Sequence, residues 1–385
     1  MLRGVRAGLA PFAARWTVLA ASVGACTPDA FHFEVDDPAP GARAALPAPV
    51  TLLFGGDVMV GRRFNHMART TEELDVWSAL EPRFARTDVV ALNFEGTITT
   101  DTERWPNKAY HFRLEPQHAD EVLGGLEPAD DRAVYFSLAN NHSLDFGRTG
   151  AKETRAQLEQ RGFRFSGTAA SRAAASVADI VETPAGVRVG FLSATDHCGC
   201  EDLDEWAARG DREGPWVLRF GRSDRRQAAV DEAVRVVARW REEVDVLVFS
   251  LHWGSNWVDA DDDQLAWMRG VADALIRAGV DVVHGHSAHH PLAVQTVRGA
   301  TVIYGPGDLI DDYANYEGYR NDLSYLVQIE VGPDRRQRRR IWPTRIARRT
   351  DGTRWVEPLD EADPDHALVL DAAEPSAWRA LADDR

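Results

Sequence analysis

Short apolar runs recur along the chain from residue 50 onward, and most of them end in Gly, Asp, Asn or His. These runs cover residues 50–54, 89–93, 135–139, 187–192, 244–251, 281–283 and 301–304. Apolar residues at helical spacing occupy the intervals at 116–126, 149–160, 223–241 and 261–278. A further pair of strands is predicted at 324–331 and around Ile341. Strands that alternate with helices are typical of layered proteins, so the pattern predicts an α/β fold with mixed sheets.

Side chains that can bind metals follow directly after several of these predicted strands. They are Asp57, Glu95, Asn141, His142, His252, His284, His286, His289 and His290. Each has an ordinary structural explanation when it is taken alone: a helix cap, a turn, a left-handed backbone or a buried core histidine. Strand ends of a layered sheet meet at one edge, so the whole set predicts a metal site there.

The predicted ligands are carboxylate, amide oxygen and imidazole, a set that suits Mn, Fe, Zn or Mg. Such a site promotes the ionisation of water near neutral pH and neutralises charge on phosphoryl or carboxyl oxygens. Within the histidine cluster, His284 and His286 are two residues apart and share one face of an extended segment. Gly285 between them allows a close approach of backbone or substrate.

The start of the chain predicts export. Residues 1–25 contain three arginines, no acidic residue and an apolar run at 16–25, which together predict a signal peptide. Residues 23–26 resemble a bacterial lipobox, in which Cys26 becomes the acylated first residue and anchors the protein to a membrane; a plain cleaved signal is the alternative. Residues 26–48 are rich in Ala, Pro and Asp and are predicted to be a flexible tether.

The charge of the chain limits its partners. The formal net charge is -16, and removal of the three arginines of the signal segment makes it -19. A surface this acidic argues against a nucleic-acid partner. Outside the signal segment, cysteine occurs only at Cys198 and Cys200, beside His197, where two thiols on a loop or a soft-metal site are the alternatives.

Several sequence blocks together resemble the bacterial capsule synthesis protein family, CapA or PgsA. They lie at 55–59, 93–96, 110–113, 138–147, 252–254 and 285–289, and the resemblance extends from about residue 50 to about residue 330. It implies a divergent branch of the calcineurin-like metallophosphoesterases, with a four-layer α-β-β-α sandwich and metals at the strand ends. One domain is then expected at 49–360, followed by a C-terminal tail or helix at 361–385.

The resemblance also implies roles for individual residues. Asp57 would be a ligand of a first metal, Glu95 would stand at the position of the bridging acid, and Asn141 would be a ligand from the Asn-His motif. His142 would be the general acid for the leaving group. Asp145, three residues later, is predicted to orient the imidazole of His142, with a turn-forming aspartate as the alternative.

The remaining implied ligands are the later histidines. His252 and His286 would bind the second metal, and His289, or alternatively His284, the first, so that one or two divalent ions are expected. Two features depart from the parent superfamily. Met59 stands where the phosphoesterases have the histidine of Asp-x-His, and one extra residue separates His286 from His289.

Four further residues are predicted to contact substrate: Asn140, Lys108, Arg113 and Trp253. Lys108 and Arg113 would offer positive charge to an anionic substrate, with a solvated loop as the alternative for Lys108. Trp253 would form an apolar rim for a polymer or sugar, or else pack in the core. Asp308 follows another predicted strand and is a candidate extra ligand at a position where the family commonly has Asn.

Two hypotheses of function follow. The first is an exported, lipid-anchored, metal-dependent hydrolase that acts on an anionic cell-envelope polymer or its phosphorylated precursor, with a link to poly-γ-glutamate or capsule synthesis or anchoring. The second is a non-catalytic accessory protein that binds the anionic polymer and assists a membrane synthase. Met59 favours the second hypothesis, whereas the Asn141-His142 pair favours the first.

Overall fold

Two mixed sheets and the helices around them make up the computed structural model, which describes residue 33 and residues 43–197, 202–254, 262–313 and 320–375. The strands are β1 (Val50–Val58), β2 (Val89–Phe94), β3 (Thr97–Ile98), β4 (Arg113–Leu114), β5 (Ala133–Ser137), β6 (Arg164–Ser166), β7 (Thr168–Ala169), β8 (Asp179–Glu182), β9 (Arg188–Thr195), β10 (Gly214–Pro215), β11 (Val246–His252), β12 (Val282–His286), β13 (Val294–Val297), β14 (Ala300–Ile303), β15 (Asp308–Ile310), β16 (Leu323–Val331), β17 (Gln337–Arg348) and β18 (Arg354–Pro358). The helices are α1 (Arg63–Thr70), α2 (Glu81–Phe84), α3 (Ala119–Leu123), α4 (Gly147–Gln160), α5 (Arg172–Ala175), α6 (Leu203–Trp206), α7 (Arg226–Arg241), α8 (Asp262–Arg277) and α9 (Pro364–Ala373), and short 3-10 helices lie at Ser78–Leu80 and Pro116–His118.

Both large sheets combine parallel and antiparallel strands. The first has the order β18-β17-β16-β1-β2-β5-β6, with β15 beside β1, and the second has the order β13-β14-β12-β11-β9-β8. Strands β1, β2, β5 and β6 run parallel, as do β9, β11, β12 and β14. In the first sheet, β16, β17 and β18 are antiparallel to their neighbours on one side of β1. In the second sheet, the two edge strands are antiparallel, β8 to β9 and β13 to β14.

Alternate residues of the central strands face two different cores. Leu52 of β1 packs in one core with Val246 and Val248 of the opposite sheet. Leu53 instead packs with residues of helices α1 to α4. In the second sheet, Leu247 packs with residues of α7 and α8. The layers are therefore helix, sheet, sheet and helix, which is the four-layer α/β arrangement with mixed sheets that the sequence led us to expect.

Parallel registers bring the polar ends of the strands together. Asp57 lies opposite Asn93 of β2 on one side and opposite Asp308 of β15 on the other. In the second sheet, His252 at the end of β11 lies opposite His286 at the end of β12. Each sheet therefore presents its candidate ligands from adjacent strands at one edge.

Some elements differ from the predicted ones. The helix predicted at 116–126 is a 3-10 turn followed by the short α3, which stops before Gly124 and the left-handed Gly125 (φ 91°). Strands β6, β8, β13 and β18 and helix α1 were not predicted, because they are short or largely polar at the surface. Helix α9 lies within the predicted C-terminal tail or helix at 361–385.

Most of the predicted export segment lies outside the described residues, including Cys26 and the whole signal sequence. Of the predicted tether, Phe33 and residues 43–48 are described, and the backbone of Leu46 donates a hydrogen bond to the carbonyl of Pro333 (3.0 Å). Cys198 and Cys200 also lie outside the described residues. Across the part of the chain that is described, no helix has the length and apolar character needed to cross a membrane.

Candidate metal centre

A ladder of side-chain amides holds the acidic residues of the first sheet. The amide nitrogen of Asn93 donates hydrogen bonds to Asp57 Oδ1 (2.8 Å) and to Glu95 Oε2 (3.1 Å). The Asn140 amide donates to Asn93 Oδ1 (3.0 Å), and its own oxygen accepts from the backbone N–H of His142 (3.0 Å). The ladder fixes the ends of β1 and β2 and the loop after β5 relative to one another.

Imidazoles surround the free oxygen of Glu95. Glu95 Oε1 lies 3.8 Å from His142 Nε2, 4.0 Å from His252 Nε2 and 3.9 Å from His289 Nε2. His289 Nδ1 lies 2.7 Å from Asp308 Oδ1 and 3.5 Å from Asp57 Oδ2. The side chains of both sheets therefore converge on one buried point, as the convergence of strand ends predicts.

Two overlapping groups of side chains have metal-binding geometry. The carboxylate-rich group is Asp57, His289 and Asp308, and the imidazole-rich group is Asp57, His252 and His286. In each group, one ligand atom from every residue lies within 4.8 Å of the others. Asp57 belongs to both groups, so it could be a ligand in either of them.

Four buried polar atoms at this edge have no hydrogen-bond partner among the described residues. They are Glu95 Oε1, Asn141 Oδ1, His252 Nε2 and Asp308 Oδ2. A buried polar atom without a partner is costly, and such atoms are uncommon in folded proteins. Two carboxylate oxygens, an amide oxygen and an imidazole nitrogen are the donor types that Mn, Fe, Zn and Mg accept. The residues present therefore fit a divalent cation.

The electrostatics of the site favour a cation as well. Burial raises the pKa of Asp57 to about 7, although hydrogen bonds from Asn93 and Ser287 act in the opposite direction. Burial, followed by the negative charge of Asp57, raises the pKa of Glu95 well above its ordinary value. The pKa of Asp308 is also raised well above its ordinary value, first by burial and then by neighbouring carboxylates. A bound cation would stabilise all three ionised carboxylates.

The histidines that could bind a metal are held neutral. Burial, and after it the positive charge that neighbouring imidazoles would bear, lowers the pKa well below the ordinary value for His252, His286 and His289. Neutral imidazole is the form that binds metals, because it retains a lone pair on one ring nitrogen. The histidines are thus in the protonation state that a ligand requires.

His142 forms a dyad with Asp145. Its Nδ1 lies 2.7 Å from Asp145 Oδ2, an oxygen that also accepts a hydrogen bond from the backbone of Phe112 (2.6 Å). Lys108 Nζ lies 2.8 Å from the other oxygen, Asp145 Oδ1. Burial lowers the pKa of His142 to about 4, with Lys108 acting in the same direction and Asp145 against it. Neutral His142 donates Nδ1–H to Asp145 and directs the Nε2 lone pair toward Glu95.

The four predicted substrate contacts occupy different positions. Asn140 is committed to the amide ladder, and the Lys108 side chain is only 4% exposed, because it pairs with Asp145 and donates to the Asn141 carbonyl. Arg113 is 25% exposed and donates to the carbonyl of Asp101 (3.1 Å). A substrate contact of these three residues stays a prediction.

Trp253 differs from the predicted apolar rim. Only 1% of it is exposed, and its Nε1–H donates to the Tyr304 carbonyl (3.0 Å) while its ring stacks on the Tyr304 ring. Trp253 thus packs in the core, which was the alternative. A Cβ added at Gly285 would lie 2.4 Å from Trp253 Nε1, so glycine at that position allows this packing.

The structure separates the alternatives within the histidine cluster. His289 lies beside Asp57, whereas both ring nitrogens of His284 have other partners, Gly55 O (2.8 Å) and Ser250 Oγ (3.1 Å). The loop with the extra residue has non-glycine residues at positive φ, Ser287 (107°) and His289 (59°). This unfavourable backbone places His289 between Asp57 and Asp308, and strain of this kind is concentrated at functional sites.

Sequence reasoning overlooked some members of the site. Asn93 was read as part of a motif without a role, and Ser250 was not singled out. Asp308 was only a candidate extra ligand, but it lies opposite Asp57 in the register of β1 and β15 and belongs to the carboxylate-rich group. The available signal was its place directly after an apolar run, the same signal that identified Asp57.

Fold and site together describe a layered α/β protein with a metal-competent centre at the edge of its two sheets. A sequence profile described as "Bacterial capsule synthesis protein PGA_cap" matches residues 51–313, and the chain belongs to that family. The resemblance noted from the sequence motifs is thereby confirmed.

Relatives with assigned names agree with this membership. The probable polyglutamine synthesis accessory protein of Mycobacterium tuberculosis strain H37Rv is 33% identical over 329 residues, which cover 75% of this chain and 82% of that protein. The PGA biosynthesis protein CapA of Bacillus subtilis strain 168 is 25% identical over 280 residues, covering 72% of this chain and 67% of that protein. Among solved structures, Haemophilus influenzae NAD nucleotidase has 10% identity and a TM-score of 0.40, over 84% of this chain and 62% of that chain.

Proposed function

We propose that the protein is an exported, metal-dependent hydrolase of the CapA type that acts on an anionic cell-envelope polymer or its phosphorylated precursor. The observation that supports this proposal is the set of four unpartnered ligand atoms of Glu95, Asn141, His252 and Asp308. His142, oriented by Asp145, lies beside them with Nε2 3.8 Å from Glu95 Oε1. A proton-exchanging group next to a cation site is the minimum that metal-assisted hydrolysis requires.

The cation would neutralise charge on a phosphoryl or carboxyl oxygen of the substrate and promote the ionisation of water. Asp57, Glu95, Asn141, His252, His286, His289 and Asp308 would hold it, as one ion or two. His142 would accept a proton at Nε2 from the attacking water and then donate it to the leaving group, while its Nδ1–H stays with Asp145. Lys108 neutralises the outer oxygen of Asp145, and the amide ladder of Asn93 and Asn140 keeps the carboxylates in place.

The cellular part of the proposal concerns anchoring and partners. Acylation of Cys26 would hold the protein at a membrane surface, where it would meet the polymer and a membrane synthase complex. The names of the mycobacterial and Bacillus relatives, which refer to polyglutamine synthesis and PGA biosynthesis, support this setting. Substitution Cys26→Ala should move the full-length protein out of the membrane fraction and abolish labelling by a lipid precursor. An unchanged membrane fraction would contradict the lipid anchor.

The hydrolase is tested by metal analysis together with an activity screen on phosphodiester, phosphomonoester and γ-glutamyl amide substrates. Wild type should contain divalent metal and turn over at least one class, and His142→Ala should lose roughly 100- to 10,000-fold of that turnover with unchanged metal content. A metal-loaded wild type without turnover, whose binding to poly-γ-glutamate survives His142→Ala, would contradict the hydrolase.

That outcome would support the second candidate function, a non-catalytic accessory protein that binds the anionic polymer beside a synthase. The observation in its favour is the description of the mycobacterial relatives as accessory proteins. Met59, buried at the position where the phosphoesterases have a histidine, also favours it. Under this alternative, metal would bind and cross-link polymer carboxylates, so chelation should release the polymer while His142→Ala should not.

A further inference from the structure

Both ring nitrogens of His284 contact residues that belong to neither the carboxylate-rich nor the imidazole-rich group. Its Nε2 lies 2.8 Å from the carbonyl oxygen of Gly55, and its Nδ1 lies 3.1 Å from Ser250 Oγ. Ser250 and His284 are register partners in β11 and β12, which places the hydroxyl beside the ring. A carbonyl can only accept a hydrogen bond, so Nε2 of His284 must carry a hydrogen.

The surroundings of His284 keep it neutral. The ring is buried, and its described contacts are a carbonyl, a hydroxyl and the rings of Phe54 (5.1 Å) and His286 (5.4 Å). A buried imidazolium that has only a carbonyl and a hydroxyl as polar contacts is costly, so the ring is neutral. A neutral imidazole with hydrogen on Nε2 has a lone pair on Nδ1, so Nδ1 accepts the hydroxyl hydrogen of Ser250.

The direction of that bond determines the next one. Ser250 has a single hydroxyl hydrogen, and once His284 accepts it, Ser250 Oγ can only accept from its other neighbour, His286 Nε2 at 3.1 Å. His286 therefore carries its hydrogen on Nε2 and a lone pair on Nδ1. His252 Nδ1 lies 2.9 Å from His286 Nδ1 and must supply the hydrogen between the two rings.

The last lone pair in this chain of bonds is on His252 Nε2. That atom has no hydrogen-bond partner among the described residues, and it lies 4.0 Å from Glu95 Oε1. We propose that the imidazole relay, formed by the Gly55 carbonyl, His284, Ser250, His286 and His252, sets the tautomers of the metal site. In the metal-free protein the relay leaves the lone pair of His252 Nε2 available to a metal, whereas the lone pair of His286 Nδ1 becomes available only when its hydrogen bond from His252 is broken. His284 and Ser250 are thus positioning residues.

The relay explains why a fourth histidine lies in β12 without reaching Asp57. Neutral histidine has two tautomers of similar energy, and a ligand histidine with the wrong one points an N–H at the cation. Partners of the distal ring nitrogen commonly fix the tautomer at metal sites. Here the carbonyl of Gly55 determines which nitrogen of His284 carries the hydrogen, and through it the direction of every later hydrogen bond in the relay. A carbonyl does not ionise, so this direction does not change with pH. The inference rests on the metal-binding part of the proposed function and is independent of turnover.

The first test measures tautomers in the metal-free protein. The chain contains 12 histidines, so imidazole nitrogens labelled with ¹⁵N can be assigned with single substitutions, and the nitrogen shifts distinguish protonated from unprotonated positions. His284 and His286 should carry hydrogen on Nε2 and His252 on Nδ1, at pH 7 to 8. Hydrogen on Nδ1 of His284 or of His286 would overturn the relay. This measurement stands whether or not the protein is an enzyme.

The second test uses the matched pair Ser250→Thr and Ser250→Val, which differ in the hydroxyl but share their shape. Zn²⁺ titration by calorimetry or chelator competition should give Ser250→Thr an affinity close to that of wild type. Ser250→Val should bind roughly 10- to 100-fold more weakly, as loss of a partner behind the ligand histidines usually does. A merely structural serine would change the unfolding temperature of the two variants without separating their Zn²⁺ affinities, and equal affinities would therefore refute the proposal.

The two tests distinguish the relay from the function on which it rests. A wild type that binds no Zn²⁺, Mn²⁺ or Mg²⁺ would remove the metal-dependent hydrolase, and the tautomers would still be read from the ¹⁵N shifts. If both Ser250 variants fail to fold by circular dichroism, the wild-type shifts alone decide. A metal-binding wild type with the opposite tautomers would leave the proposed function standing and eliminate the relay.

Discussion

The carboxylate-rich and the imidazole-rich groups share Asp57 but are built in different ways. The first is completed by His289 and Asp308, from a strained loop and a strand beside β1. The second is completed by His252 and His286, which are register partners at the ends of two regular parallel strands. An oxygen-rich set suits Mg or Mn, whereas an imidazole-rich set suits Zn or Fe. The centre thus offers two different environments joined by one carboxylate.

The difference also determines what happens without a cation. In the carboxylate-rich group, burial raises the pKa of Asp57 and Asp308, so the group resists acquiring its negative charge. In the imidazole-rich group, burial lowers the pKa of His252 and His286, so that group resists acquiring positive charge. A bound cation would therefore act differently on the two groups. It would stabilise the ionised carboxylates of the first group, and it would bind the lone pairs that the neutral imidazoles of the second group already offer.

Asp57→Asn should have the largest effect, because it removes the residue that the two groups share. Loss of the ligand should cost more than the roughly 10- to 100-fold in affinity that loss of an outer partner costs, and for both classes of metal. Mass-spectrometric metal analysis after dialysis against Mn²⁺ or Zn²⁺ measures the change. Asp312→Asn is the control, because Asp312 binds Arg62 on the neighbouring loop. Retention of the full metal content by Asp57→Asn would show that neither group is the binding site.

Asp308→Asn should lower the metal affinity of one group and not of the other. It should weaken the carboxylate-rich site and leave the imidazole-rich site in place, so that metal content falls by about half where two ions bind. Asp308 lies opposite Asp57 in the register of β1 and β15, and Met59 follows two residues after Asp57. The double substitution Met59→His with Asp308→Asn should then restore part of the lost Mn²⁺ affinity, measured by electron paramagnetic resonance. Equal losses of Mn²⁺ and Zn²⁺ in Asp308→Asn would mean that the groups are not separable.

The sequence was sufficient for the parts of this centre that depend on local pattern. Asp57, His252 and His286 each end an apolar run, and parallel strands carry such ends to one edge, so their convergence follows from strand assignment alone. The position of Asp308 depends on how β15 returns beside β1, which is a tertiary pairing between distant segments. The burial of Lys108 against Asp145 is equally non-local, because a long flexible side chain has no partner that its own neighbours in sequence specify.

The pH dependence of the metal-free protein should distinguish the two kinds of residue by sign. Asp57 has a folded pKa of about 7 against an ordinary 3.8, so folding favours its protonated form. The contribution of Asp57 to the free energy of unfolding is therefore fully present below about pH 4 and is lost as the pH rises through 7. His142, with a folded pKa of about 4 against 6.5, represents the buried imidazoles. Its contribution is present above pH 6.5 and is lost as the pH falls through 4.

Neutral substitutions should therefore stabilise the chelator-treated protein at opposite ends of the pH range. Asp57→Asn should match wild type near pH 4 and exceed its free energy of unfolding near pH 8, on the order of a few kcal/mol. His142→Gln should match wild type near pH 8 and exceed it near pH 4. Denaturant unfolding at the two pH values measures both differences. The same sign of change for both variants at one pH would contradict the opposed titrations.

Lys108→Met should have the smallest effect, and it concerns His142, the histidine beside Glu95. The positive charge of Lys108 lowers the pKa of His142 directly. Lys108 also pairs with Asp145, whose negative charge raises the pKa of His142. Its removal should increase the pKa of His142 by up to about one unit, measured by NMR titration of the metal-free protein. Lys152→Met, at an exposed position of α4, should leave the pKa unchanged. An unchanged pKa in Lys108→Met would mean that burial alone keeps His142 neutral, and that the ion pair of Lys108 with Asp145 serves the packing of the loop against Trp206.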